Sequence, residues 1–157
     1  THAGALPTNA ELEHAVAEYQ RIFHPDAHRE WVRSLRDVAL AALSELSDFS
    51  PRVVLDTIGN AGDVRGAIRL FAFHEPSEAV GSHLANLGYA VEAGQRRFRF
   101  SKGEARVVPS YLYRREDIDI EVCVFPYRGR SQQPRSGPQQ RPIKTASRYD
   151  LVNGDAP

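Results

Sequence analysis

Apolar residues recur every three or four positions over the first third of the chain, a spacing typical of amphipathic helices. Leu12, Val16 and Tyr19 follow this spacing, and a broader apolar stripe continues it towards residue 49. Pro25 interrupts the pattern, because proline disfavours helical geometry in the residue before it. We therefore expect a pair of helices over residues 10–49.

Beyond this pair, the pattern changes to the alternation and β-rich runs that are typical of strands. Ser77 can begin one further helix, which Gly88 would end. Strand-like runs cover residues 52–58, 67–73, 89–93, 95–100, 105–113 and 118–125. This order predicts an α+β fold, in which two N-terminal helices and a third helix pack on a mixed, largely antiparallel sheet.

The composition changes after residue 125. Residues 126–142 are rich in Pro, Gln and Arg and contain almost nothing apolar, which favours an extended, weakly ordered segment. Apolar side chains near the end could still dock on the domain, namely Ile143, Tyr149, Leu151 and Val152. We expect a single domain over residues 9–125, followed by an extended tail over residues 126–157.

Charge and length narrow the classes of function. The chain has 157 residues, with 20 basic residues against 20 acidic ones, which argues against non-specific wrapping of nucleic acid. No apolar run is long enough for a membrane span, and the start of the sequence lacks the apolar stretch of a signal peptide. A single cysteine cannot form an internal disulfide. We expect a protein of the cytoplasm with no membrane partner, and its oligomeric state stays open.

The most distinctive local pattern is a strand with acidic side chains at alternate positions. Alternation directs the apolar residues of 118–125 into a core and places Asp117, Asp119, Glu121 and Cys123 on the other face. Neighbouring carboxylates repel each other unless water, a metal ion or arginine compensates them. Mg²⁺ is one cation that such oxygens bind, and a solvated or arginine-paired face is the alternative.

At this point the sequence resembles a known superfamily. The order of elements is similar to that of the nucleotidyltransferases, which include DNA polymerase beta. Three segments resemble a family of small proteobacterial nucleotidyltransferase-like proteins: Leu35–Leu40, Phe49–Val54 and Ile120–Pro126. The resemblance covers about residues 30–145 and implies a bacterial protein with the nucleotidyltransferase fold.

Active members carry a Gly-Ser turn after the first strand, paired carboxylates on the second strand and a third carboxylate on a later strand, which together hold two Mg²⁺ ions. The resemblance places Ala67 and Arg69 at the paired acidic positions, and Leu55-Asp56 where Gly-Ser is expected. Only the later strand keeps an acid, Asp119 or Glu121. Because a guanidinium puts a positive charge in the cation's place, we expect Arg69 to pair with one of these two acids.

Two hypotheses follow from these departures. The first is a degenerate nucleotidyltransferase-fold protein without metal or other cofactor, which acts as a binding or regulatory module. The second is an active Mg²⁺-dependent transferase, in which Asp119 and Glu121 act with a relocated acid, Asp56 or Asp63.

A third hypothesis concerns phosphate or RNA. Arginines lie on the predicted hairpins, with Arg97 and Arg99 alternating with aromatic residues and Arg114 and Arg115 near a turn. Arginine next to aromatic rings can grip single-stranded nucleic acid, so a nucleotide or RNA is a candidate partner of an accessory protein. The alternative is that the aromatic side chains form core and the arginines face solvent.

Overall fold

The computed structural model describes residues 9–23, 25–59, 67–100, 103–126, 134–136 and 141–154. The helices are α1 (Asn9–Phe23), α2 (Pro25–Glu45), α3 (Asp56–Gly59), α4 (Glu78–Asn86) and α5 (Arg148–Asn153). The strands are β1 (Arg52–Val54), β2 (Ile68–Phe73), β3 (Glu92–Arg99), β4 (Ala105–Arg115), β5 (Ile118–Phe125), β6 (Arg135–Ser136), β7 (Arg141–Pro142) and β8 (Thr145–Ala146). Within these ranges, none of the helices has the length and apolar character needed to cross a membrane.

The predicted helical pair and the helix after Ser77 are confirmed, whereas the predicted strand 52–58 is wrong beyond Val54. The hydroxyl of Thr57 donates to the carbonyl oxygen of Val54 at 2.6 Å, which satisfies an acceptor that a longer strand would have used for pairing. The amide of Gly59 then donates to the carbonyl of Leu55 at 2.9 Å, so the chain turns into α3.

The predicted strand 89–93 is wrong before Glu92, where β3 begins. Gly88 has a φ of 102° and ends α4. The amide of Tyr89 donates back to the carbonyl of Leu84 at 3.2 Å, which caps the helix and removes Tyr89 from the sheet.

The strands form one mixed sheet in the order β7-β6-β3-β4-β5-β2-β1-β8. The neighbours β2 and β5 are parallel, and the other described pairs of strands are antiparallel. The mixed, largely antiparallel sheet that the sequence predicts is therefore confirmed.

One face of the sheet packs against the helices. Alternate residues of β2 and β5, such as Leu70, Ile120 and Val122, are fully buried against α2 and α4. The predicted inward direction of the apolar residues of β5 is confirmed. This helix-side core also takes in Tyr113 of β4, which is 3 % exposed.

The sheet rolls up on its other face. Adjacent strands are about 4.8 Å apart, so the edges of a flat eight-stranded sheet would lie roughly 34 Å from each other. Only residues 143 and 144 separate β7 at one edge from β8 at the other, and three peptide steps span at most about 11 Å. The amide of Ile143 donates to the carbonyl of Pro134 at 2.9 Å, and the carbonyl of Lys144 accepts from the amide of Leu55 at 3.0 Å. These neighbouring residues therefore bridge the two edges.

The rolled face encloses a second core, which we call the aromatic cluster. Phe125 is its centre, with ring centroids 4.9 Å from Phe71 and 5.3 Å from Phe98. Ile143 packs against the cluster from the bridging segment. The complete set is Val54, Phe71, Phe73, Phe98, Phe100, Val108, Cys123 and Phe125.

The last described residues dock on the helices. Leu151 is 2 % exposed and belongs to the helix-side core, and its carbonyl accepts from the guanidinium of Arg36. Ser147 and Asp150 form a capping box at the start of α5. Residues 141–154 therefore do not form an extended tail. The sequence allows the apolar residues near the end to dock on the domain, and Leu151 does so. Tyr149 remains 69 % exposed.

Replacing Leu151 by alanine tests this docking. We expect Leu151→Ala to lower the free energy of unfolding by about 2–4 kcal/mol, because it empties a filled position in the core. The neighbouring substitution Val152→Ala should change it by less than about 0.5 kcal/mol, since Val152 is 56 % exposed. Urea unfolding of both variants measures the difference, and equal effects would contradict the docked position of α5.

Candidate functional site

The parallel pairing of β2 and β5 places Arg69 directly beside Glu121. The Nε of Arg69 donates to Oε1 of Glu121 at 2.9 Å. Both side chains point to the rolled face, because Phe71 and Cys123, two residues further along each strand, belong to the aromatic cluster. The ion pair that the sequence predicts for Arg69 is therefore confirmed, with Glu121 as the partner.

A second arginine joins the same carboxylate. The Nε of Arg96 on β3 donates to Oε1 of Glu121 at 2.8 Å, so one oxygen accepts from two guanidiniums. The Glu121 side chain is 13 % exposed, that of Arg69 is 27 % exposed and that of Arg96 is 41 % exposed. We call these three residues the Arg69–Glu121–Arg96 cluster.

The side chain of Arg96 on β3 must cross β4 to contact Glu121 on β5. Arg96 pairs in register with Val108, whereas Glu121 pairs with Leu112, so the two residues lie two rows apart on the rolled face. The row between them contains Gly94 and Ser110. Glycine and serine leave room for a long side chain to cross that row.

The other acids of the predicted acidic strand are placed differently. Asp119 binds Arg114 on β4, with Nε and Oδ1 3.0 Å apart, and both side chains are well exposed. Asp117 is not on β5: with Glu116 it forms the turn between β4 and β5, where their φ values are 64° and 52°. The prediction that Asp117 shares the strand face with Asp119 and Glu121 is therefore wrong, because the turn takes up Asp117.

Three further positions belong to the candidate metal site, and the structure describes two of them. Ala67 immediately precedes β2 and is partly buried, and Asp56 is exposed at the start of α3. The amide of Arg69 donates to the hydroxyl of Thr57 at 3.1 Å, which ties the start of β2 to α3. Asp63 lies outside the described residues.

The four arginines proposed as phosphate or nucleic-acid contacts do not form one surface. Strand alternation and register put Arg97, Arg99 and Arg115 on the helix side of the sheet and Arg114 on the rolled face. Arg97 and Arg99 are exposed, but the Phe98 and Phe100 rings are each only 6 % exposed within the aromatic cluster. Those two rings are therefore not available to stack with bases.

A network that sequence reasoning missed fixes the end of α2 to the sheet. Glu45 accepts hydrogen bonds from the hydroxyl of Tyr89 at 2.8 Å and from Nε of Arg115 at 3.2 Å. Burial, and then the hydrogen bond to Glu45, raise the pKa of Tyr89. Burial also raises the pKa of Tyr113, whose ring lies 4.8 Å from that of Tyr89. Arg115 and Glu45 are 70 positions apart, and no local pattern marks them as partners.

Cys123 lies behind the Arg69–Glu121–Arg96 cluster and is fully buried. Burial, and then the charge of Glu121, raise the pKa of its thiol to about 12. A neutral buried thiol is a packing residue, since the thiolate is the reactive form.

Among the described residues, no group of three or more His, Cys, Asp or Glu side chains is arranged to hold a metal ion. No family model matches the chain, and comparison with curated proteins and with solved structures finds no match either.

Removing the carboxylates of β5 one at a time should separate their roles in stability. Glu121→Ala leaves two guanidiniums together without their shared acceptor, so we expect the free energy of unfolding to fall by about 1–3 kcal/mol. Asp119→Ala removes an exposed ion pair and should cost less than about 1 kcal/mol. Chemical unfolding curves provide the measurement. A larger loss for Asp119→Ala would contradict the central position of Glu121.

The thiol of Cys123 should react only when the protein opens. In native protein at pH 8 we expect negligible labelling by a thiol-specific disulfide reagent, because the pKa of about 12 keeps the thiol neutral and burial excludes the reagent. In denaturant, labelling should be rapid and complete. Rapid labelling of the native protein would show that Cys123 is accessible.

Proposed function

We propose that this chain is a nucleotidyltransferase-fold protein that no longer transfers nucleotides and acts as a binding or regulatory module. The observation that carries the proposal is the sharing of Glu121 between Arg69 and Arg96. Glu121 is one of the two acids, with Asp119, to which the resemblance assigns the remaining metal-binding position, and Arg69 stands where it expects another acid.

The physical support is electrostatic. A divalent cation at Glu121 would lie close to two guanidiniums. At a separation of about 5 Å and an effective dielectric constant of about 20, each of them would oppose it by roughly 6–7 kcal/mol. Binding metal would therefore require both arginines to leave the carboxylate. Asp119 offers little help, because Arg114 already pairs with it.

The sequence and the buried thiol support a location in the cytoplasm as part of this proposal. The only cysteine is Cys123, which is buried and forms no disulfide. A reducing compartment suits a fold that relies on its two cores and not on a cross-link.

A transfer assay tests the loss of catalysis. The protein is incubated with radiolabelled nucleoside triphosphates and Mg²⁺ or Mn²⁺, in the presence of RNA, a mixture of proteins or small hydroxyl acceptors. We expect no incorporation above a protein-free control, because the acid required for metal binding is held by arginines.

The matched control is the double variant Asp119→Ala with Glu121→Ala. Incorporation by the unaltered protein that this variant loses would overturn the proposal and establish an active transferase. A further loss in Asp56→Ala would then identify Asp56 as the relocated acid.

A further inference from the structure

The two guanidiniums that meet at Glu121 keep most of their hydrogen-bond donors unused. A guanidinium carries five N–H donors, and Arg69 and Arg96 each contact Glu121 through Nε alone. Within the described part of the chain, the Nη groups of these two arginines make no hydrogen bond. Two sets of Nη donors are thus held next to each other by a single carboxylate oxygen.

The charge at this point of the rolled face is positive. Two arginines against one glutamate leave one net positive charge in the cluster. Beside it, Arg114 is balanced by Asp119. The nearest further acid in the same row is Glu92, which is exposed and separated from Glu121 by Leu112. The exposed fractions of 27 % for Arg69 and 41 % for Arg96 leave both side chains within reach of solvent.

We propose that the Nη groups of Arg69 and Arg96 bind the phosphate group of a phosphate monoester without a metal ion. The planar fork of donors on a guanidinium matches the oxygens of a phosphate, and two neighbouring forks suit a doubly charged group. Glu121 positions both guanidiniums before the ligand arrives, which reduces the entropy lost on binding. The proposal rests on the proposed function, since it names the ligand class of the binding module.

Titration calorimetry with inorganic phosphate, at low ionic strength and with EDTA present, tests the site in the full chain. We expect saturable binding that Arg96→Ala weakens by about tenfold or more, because charge-assisted hydrogen bonds to the ligand are lost. Arg96→Ala should remain folded, since Glu121 keeps its contact with Arg69. Far-ultraviolet circular dichroism and the unfolding midpoint check this.

Two further variants make the test specific. Arg33→Ala removes one exposed arginine from α2, far along the chain from the cluster, and should leave phosphate binding unchanged. Glu121→Gln keeps the size of the side chain and one oxygen that can accept from both Nε groups, but it removes the competing negative charge, so we expect several-fold tighter binding. Unchanged affinity in Arg96→Ala, equal weakening in Arg33→Ala, or weaker binding in Glu121→Gln would each overturn the phosphate site.

A phosphodiester probe separates the two sources of phosphate. An oligouridylate without terminal phosphates presents only diester groups, and we expect it to leave the phosphate titration unchanged. Competition by the oligouridylate that Arg96→Ala relieves would overturn the monoester assignment. Binding of phosphate that depends on Arg97 and not on Arg96 would place the site on the opposite face of β3, which also overturns it.

The outcomes distinguish this inference from the proposed function. Absence of phosphate binding, together with absence of nucleotide transfer, overturns the phosphate site and leaves the loss of catalysis standing. Metal-dependent transfer overturns the proposed function, whatever the result with phosphate in EDTA.

Discussion

The rest of the structure depends on one constraint: both faces of strands β2 and β5 carry apolar side chains that must be buried. Their apolar residues alternate between two cores, so the helices can bury only one set. The other set, with Phe125 at its centre, is enclosed only because the sheet rolls and the segment at Ile143 bridges its edges. The segment after β5 is therefore a structural part of the domain where it is described.

The same rolled face carries the polar groups on which the proposed function rests. Along β2 and β5 it changes from aromatic residues to Arg69 and Glu121 within a few positions. A mostly buried carboxylate is costly without partners, and Glu121 has two. The arginines gain a fixed position from the same contact, which orders their remaining donors without a metal ion.

The two arginines at Glu121 change the function that this carboxylate indicates. An acid on an exposed strand face is compatible with a metal ligand, with a solvated side chain or with an ion pair. The two Nε contacts to one oxygen of Glu121 favour the last of these. An anion then becomes the ligand whose charge suits the site, and this links the proposed loss of catalysis to the proposed phosphate site.

Local pattern in the sequence was enough to predict the helical pair, the third helix and the inward face of β5, because periodicity and turn residues act over a few positions. The pairing of Arg69 with Asp119 or Glu121 was predicted from the resemblance and from charge, not from local pattern. Local pattern also put Asp117 on the same face as Asp119 and Glu121 and extended the strand at 52–58 too far, since the turn at Glu116 and the hydroxyl of Thr57 compete with pairing there. Only the tertiary structure decided that Arg96 joins Glu121, that Arg115 joins Glu45 and that the sheet edges meet. These contacts join residues 25 and 70 positions apart, or depend on how far the whole sheet curls, and no short-range spacing encodes them.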